Sequence, residues 1–182
     1  SFAPSVPHDP RVAPTEFMEM YDATKITLPK NFMPRHPFDN GELEVRDEKL
    51  AAVPRTPDEM RRHIAEYYAT ITCLDHHVGR ILDTLAATGR ADETIIIFTS
   101  DQGLAVGGRH GLMGKQNLYE HFKSPLIIAG PGIPRGKSDA LVYLFDLFPT
   151  CCDMASVAAG KLPRSVDHVS EVMPSVAAAK LQ

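Results

Sequence analysis

Apolar residues recur every three or four positions from Ile64 through Tyr67, Ile71, Leu74, Val78, Ile81 and Leu82 to Leu85, the period of one helical face. Thr56-Pro57-Asp58-Glu59 stands just before this stripe and has the parts of a capping box: an N-cap hydroxyl, a proline at the first helical position and a glutamate at the third. Gly89 follows the stripe and suits a left-handed cap. The pattern predicts a helix from about Pro57 to Thr88. His76 and His77 mark the boundary between its apolar and polar sides.

The period then changes. Thr94-Ile95-Ile96-Ile97-Phe98-Thr99 and Pro125-Leu126-Ile127-Ile128-Ala129 are short, continuous apolar runs, which predicts two strands of a parallel sheet buried on both faces. A shorter helix is predicted over Tyr143 to Ala155. Helix, strand, loop, strand and helix in this order describe an α/β layered fold. Ahead of them, Ser1 to Pro57 holds most of the prolines and little periodicity, so it reads as a long loop with short turns. Loops of that length inside a domain are usually functional or wrap a partner domain. Ser156 to Gln182 is rich in Ala, Val and Ser with weak periodicity. One incomplete domain over residues 1–155, followed by a divergent tail over 156–182, is the expected organisation.

Composition narrows the classes without changing that picture. A chain of 182 residues with 43% apolar and 23% charged residues has a globular composition, which excludes disordered and collagen-like classes. The net charge of -4 with scattered Lys and Arg leaves no electrostatic footprint for nucleic acid or an anionic membrane. No apolar run approaches the roughly 18 to 20 residues of a membrane-spanning helix. The opening Ser1-Phe2-Ala3-Pro4 reads as the middle of a protein, so a fragment is expected. Cys73, Cys151 and Cys152 make neither a disulfide framework nor a C-x-x-C spacing, and read as buried apolar residues.

In open α/β sheets ligands gather beyond the carboxyl ends of strands. Ser100-Asp101-Gln102-Gly103 sits at such an end, where the Asp101 carboxylate and the Gln102 amide oxygen form a hard-oxygen pair suited to Ca²⁺ or Mg²⁺. Taken alone, an Asp after a strand is more often a cap or turn residue. The glycines that follow, Gly107, Gly108, Gly111 and Gly114, embed His110 and Lys115 in a loop built for close backbone approach to a ligand. His110 keeps two readings, a substrate contact or a loop fixture. Without context, Lys115 would be a solvated lysine and His8 a loop histidine between prolines.

Context comes from the whole series: Thr99-Ser100-Asp101-Gln102-Gly103, Gly107-Gly108-Arg109-His110-Gly111, Lys115, Tyr119-Glu120 and Ser124-Pro125-Leu126-Ile127. It resembles the second signature of type I sulfatases in the alkaline-phosphatase-like superfamily. Pro7-His8-Asp9-Pro10 resembles the family's P-H-x-P element, and Asp146-Leu147-Phe148-Pro149-Thr150 its D-L-x-P-T segment. The resemblance covers roughly Ser1 to Ala155 and implies an incomplete alkaline-phosphatase-like sandwich. It further implies Asp101 and Gln102 as ligands of a divalent cation, most often Ca²⁺, Lys115 as the sulfate-binding lysine, and His8 as the residue that protonates the leaving oxygen. Gln102 departs from the more common Asn or His and is one methylene longer than Asn. A sulfated small molecule or glycan is the implied substrate, and the periplasm or the extracellular space the implied location.

Such chemistry has a physical logic. Sulfate-ester cleavage spreads negative charge over the sulfuryl oxygens, which a metal and an ammonium group stabilise in a water-poor site. A histidine can donate the proton that makes an alcohol a tolerable leaving group. The formylglycine nucleophile expected in the parent protein has no C-x-P-S-R motif here, and the Asp-Asp pair of the metal site is missing too. Residues 1–182 alone are therefore expected to be inactive. A sulfuric-ester hydrolase is the first reading of the parent. The others are a phosphodiesterase or phosphonate hydrolase of the same superfamily, and a non-catalytic remnant.

Overall fold

The computed structural model describes residues 1–116 and 118–155. The chain divides into two compact units, Ser1–Pro131 and Gly132–Gln182. The tail singled out from Ser156 onward lies outside the described residues.

In the first unit the Pro-rich segment is a long strap with a single helical turn, α1 (Thr15–Met18), and two 3₁₀ turns at Ala23–Lys25 and Glu48–Leu50. Helix α2 (Pro57–Ala87) begins where the capping residues place it, with Thr56 Oγ1 accepting from Glu59 N at 3.4 Å. It ends in a Schellman arrangement: Gly89 at φ 70° donates its N–H to Ala86 O, and Arg90 donates to Leu85 O.

Only the first half of α2 is buried. Met60, Ile64, Ala65 and Ala69 face inward, whereas Ile71, Ile81 and Leu82 on the same predicted stripe are exposed. That departs from the expected continuous apolar seam. The reason is what each half meets: Met60 joins Ala51, Met113, Leu28 and Phe32 in the core, while the second half borders an open groove of about 700 Å³ with Phe2, Pro4 and Val6 on its other side. Cys73 is half-buried on this groove and Cys152 is half-buried in the second unit, while Cys151 is exposed, so the cysteines are not the core residues expected.

Strands β1 (Ile96–Thr99) and β2 (Leu126–Ala129) form where predicted, and the α/β class stands. Their pairing is antiparallel, with Ile96 opposite Ala129 and Thr99 opposite Leu126. Parallel neighbours need a crossover that carries the chain back to the starting end, usually through a helix. Between Thr99 and Leu126 the chain instead makes the glycine loop and a 3₁₀ turn at Tyr119–Phe122, then returns alongside β1. Burial on both faces is not met either, since Ile96, Phe98, Leu126 and Ile127 are exposed. Among the described residues the sheet has two strands, and only the facing pair Ile97 and Ile128 is half-buried.

The described part of the second unit contains a 3₁₀ turn at Leu144–Asp146 leading into α3 (Leu147–Met154), close to the predicted helix. Asp146 Oδ2 accepts from Tyr143 N at 2.8 Å and so caps this entry.

Candidate functional site

Two segments far apart in sequence meet at Lys115. Its ammonium Nζ lies 2.7 Å from His8 Nε2 and 3.8 Å from Asp47 Oδ2. On the other side of the imidazole, His8 Nδ1 is 2.9 Å from Asp9 O and 3.2 Å from Asp9 Oδ1. Arg46 reaches both acids: Nη1 donates to Asp9 Oδ2 at 2.9 Å, and Nη2 donates to Asp9 Oδ1 at 3.3 Å and to Asp47 Oδ1 at 2.7 Å. Those two carboxylates hold the guanidinium's pKa above its ordinary value, the Asp47 hydrogen bond contributing most.

What fixes Lys115 there is a buried carboxylate. Glu48 accepts from Met113 N, from Gly114 N at 2.8 Å, from Gln116 Nε2 at 3.0 Å and from Arg55 Nη2 at 2.7 Å. Both partners of the Glu48–Arg55 pair are almost wholly buried. Arg55 in turn donates to Gly111 O and Ala51 O, so one ion pair ties the strap to both ends of residues 111–116. Burial pushes the Arg55 pKa down, against the opposing pull of Glu48. Gly114 is needed for this approach, because a Cβ there would lie 2.6 Å from Asp47 Cβ.

His110 makes a different set of contacts. It adopts φ 53°, stacks on Tyr119 with ring centroids 3.8 Å apart, and shares Asn31 with Glu120. Tyr119 OH bonds His36 Nε2 at 3.0 Å, which places His36 of the strap against this loop. Nearby His121 is buried, and that burial lowers its pKa.

Asp101 and Gln102 bond within their own turn. Asp101 Oδ1 accepts from Gln102 N at 2.9 Å, and Ser100 Oγ donates to Gln102 O at 2.6 Å. The Asp101 carboxylate is exposed. Gly103 allows close packing, since a Cβ would collide with the carbonyl of His121. Hard oxygen donors at an accessible turn suit a divalent cation. A second group of donor types suited to a cation, His8, Asp9 and Asp47, lies within 4.8 Å of one another.

The structure thus joins His8 to Lys115 and gives His110 and the Asp101–Gln102 turn surroundings of their own. It adds Asp9, Arg46, Asp47, Glu48 and Arg55. Of these, only Asp9 had a signal, its place beside His8 in Pro7-His8-Asp9-Pro10; Arg46-Asp47-Glu48 reads as a solvated charge run.

The sulfatase family model matches residues 1–157. This chain belongs to the sulfatase family. It is 34% identical to the choline-sulfatase of Rhizobium meliloti (strain 1021) over 171 residues, which are 91% of this chain and 33% of that protein. Among solved structures, the phosphonate monoester hydrolase of Silicibacter pomeroyi superposes with a TM-score of 0.69 at 31% identity, over 88% of this chain and 34% of that one. A protein solved in complex with its substrate D-glucosamine-2-N,6-O-disulfate superposes with a TM-score of 0.54 at 34% identity, over 59% of this chain and 22% of that one. The fold is accordingly that of alkaline-phosphatase-like sulfatases, present here as a part. The sulfatase chain spans about a third of the length of the choline-sulfatase it matches. No helix among the described residues is long and apolar enough to cross a membrane.

Proposed function

We propose that the protein carrying this chain is a sulfuric-ester hydrolase and that this chain supplies one wall of its active site. Family membership supports the class, and the observation that carries the reading is the 2.7 Å contact between Lys115 Nζ and His8 Nε2, two residues 107 positions apart. An ammonium and an imidazole at that separation suit an ester in which negative charge grows on sulfuryl oxygens while a leaving oxygen needs a proton. In this reading Lys115 binds the sulfate group and His8 Nε2 delivers the proton. His110 borders the substrate or secures the loop beneath it.

Asp101 and Gln102 would hold a divalent cation, Ca²⁺ or Mg²⁺, through one carboxylate and one amide oxygen. When bound, such a cation supplies Lewis-acid stabilisation of charge on the transferred group. The remaining ligands and the formylglycine come from sequence outside these 182 residues. The substrate is a sulfated small molecule or glycan, in keeping with the names of the relatives, and export to the periplasm or the cell exterior belongs to the same reading. The likeness to a phosphonate monoester hydrolase supports the second reading, a phosphodiester or phosphonate ester as substrate.

The test assays the full-length protein, loaded with Ca²⁺, on 4-nitrophenyl sulfate and on a phenyl phosphonate monoester. Sulfate turnover above phosphonate turnover, cut at least 100-fold by Lys115→Ala and by His8→Ala, is expected. Preference for the phosphonate selects the second reading, and failure to turn over either ester selects a non-catalytic remnant. Turnover of 4-nitrophenyl sulfate by residues 1–182 alone would overturn the one-wall assignment.

A further inference from the structure

The contacts around His8 close into a ring. Starting at the imidazole, the path runs His8, Asp9, Arg46, Asp47, Lys115 and back to His8, every step between 2.7 and 3.8 Å. Acids and cations alternate around it. With His8 neutral, two carboxylates balance one guanidinium and one ammonium. Burial lowers the pKa of nearby Arg11, against the opposing pull of carboxylates that include Asp9 and Asp47.

Donor chemistry then decides where the imidazole proton lies. An ammonium has three donors and no acceptor, so His8 Nε2 must offer its lone pair to Lys115. The ring proton is left on Nδ1, where Asp9 O and Asp9 Oδ1 can both accept it. Arg46 grips Asp9 through two nitrogens, the planar fork that fixes a carboxylate's orientation. Its second contact holds Asp47 toward the lysine.

We propose that Asp9, Arg46 and Asp47 are positioning residues that hold His8 as its Nδ1–H tautomer, with the Nε2 lone pair kept on Lys115. This rests on the proposed roles of His8 and Lys115 and extends them. The resting imidazole carries no proton at Nε2. When an anionic ester group draws the Lys115 ammonium onto its oxygens, Nε2 is released and takes a proton from solvent. The leaving oxygen then receives that proton, and His8 returns to the neutral Nδ1–H form. Arming of the acid thereby follows arrival of the anion. The same ring disfavours a cation at His8, Asp9 and Asp47, because all four carboxylate oxygens already face Arg46, Lys115 or His8.

The test is long-range ¹H–¹⁵N correlation NMR on the ¹⁵N-labelled full-length protein at neutral pH, with His8 assigned through His8→Gln. A protonated Nδ1 and an unprotonated Nε2 are expected at His8 in the unsubstituted protein. That signature should be lost in Lys115→Met, in favour of the Nε2–H form that free imidazole side chains prefer, should shift toward that form in both Asp9→Asn and Arg46→Met, and should be retained in Lys123→Met as a distant control. An Nε2–H or averaged pattern in the unsubstituted protein overturns the proposal. So does an Nδ1–H signature that survives both Asp9→Asn and Arg46→Met, or a Ca²⁺ titration that shifts His8 while leaving Asp101 unmoved. No substrate enters the measurement. Its failure leaves the sulfatase reading standing, and a lack of ester turnover leaves the tautomer result standing.

Discussion

The loop that carries Lys115 and the turn that carries Asp101 belong to the same stretch of chain, yet they are held in opposite ways. Lys115 is flanked by Gly114 and Gln116, both bonded to a buried Glu48 that comes from 66 and 68 positions earlier. Asp101 is exposed and bonds its next neighbour. One wall element is placed by long-range, buried polar contacts, whereas the other takes its shape from local backbone geometry. The difference matters for the proposed chemistry, because a loop backbone fixed by Glu48 keeps the Lys115 ammonium within reach of both His8 and an arriving anion. If Asp101 holds a cation as proposed, its open carboxylate is free to adjust to the other ligands, a flexibility that Ca²⁺ coordination tolerates.

The harshest way to break this contrast is at Glu48. Removing one partner of a buried ion pair leaves an uncompensated charge and costs about 3 to 5 kcal/mol. Glu48→Ala would in addition strip acceptors from Met113 N and Gly114 N. Urea denaturation should register a loss in that range, and Arg55→Met should lose a comparable amount. If either variant unfolds at the same urea midpoint as the unsubstituted chain, the buried pair does not hold the loop.

A milder perturbation acts through pH. His63 on α2 receives a hydrogen bond from Arg11 of the strap at 3.3 Å, and burial together with Arg11, Arg62 and Arg55 pushes its pKa from 6.5 down to about 4. The folded protein therefore resists protonating a group that the unfolded chain protonates freely. Its contribution to stability is complete above pH 6.5 and is lost as pH falls toward 4. At roughly 1.4 kcal/mol per pH unit the loss amounts to about 3 kcal/mol. Stability measured across pH 7 to 4 should fall accordingly, and His63→Gln should flatten that window. An equally steep fall in His63→Gln would assign the effect to other groups.

Local elements were legible in the sequence and long-range polar ones were not. The start of α2 follows from Thr56-Pro57-Asp58-Glu59, and its end from Gly89, because caps act over a few residues. His8 and Lys115 stood out through motif resemblance. Glu48 gave no such sign: a glutamate between Asp47 and Lys49 reads as solvent-facing until the backbone N–H groups of residues 113 and 114 are brought to it. Strand direction was hidden for a similar reason. Four-residue apolar runs such as Ile96 to Thr99 specify a strand but carry nothing about which way the next one points.

The smallest expected effect tests the other side of the contrast. Because Asp101 is exposed and its hydrogen bond to Gln102 N is local, Asp101→Ala should change stability by no more than about 0.5 kcal/mol. Its consequence should appear instead in Ca²⁺ affinity of the full-length protein, measured by calorimetry, where a carboxylate ligand is lost from the coordination sphere. A large stability loss without any change in Ca²⁺ affinity would mean that Asp101 is a structural cap, and the site would then need another oxygen donor. A loss of affinity at unchanged stability would separate the two parts of this wall energetically: one built into the fold through Glu48, the other assembled when the cation binds.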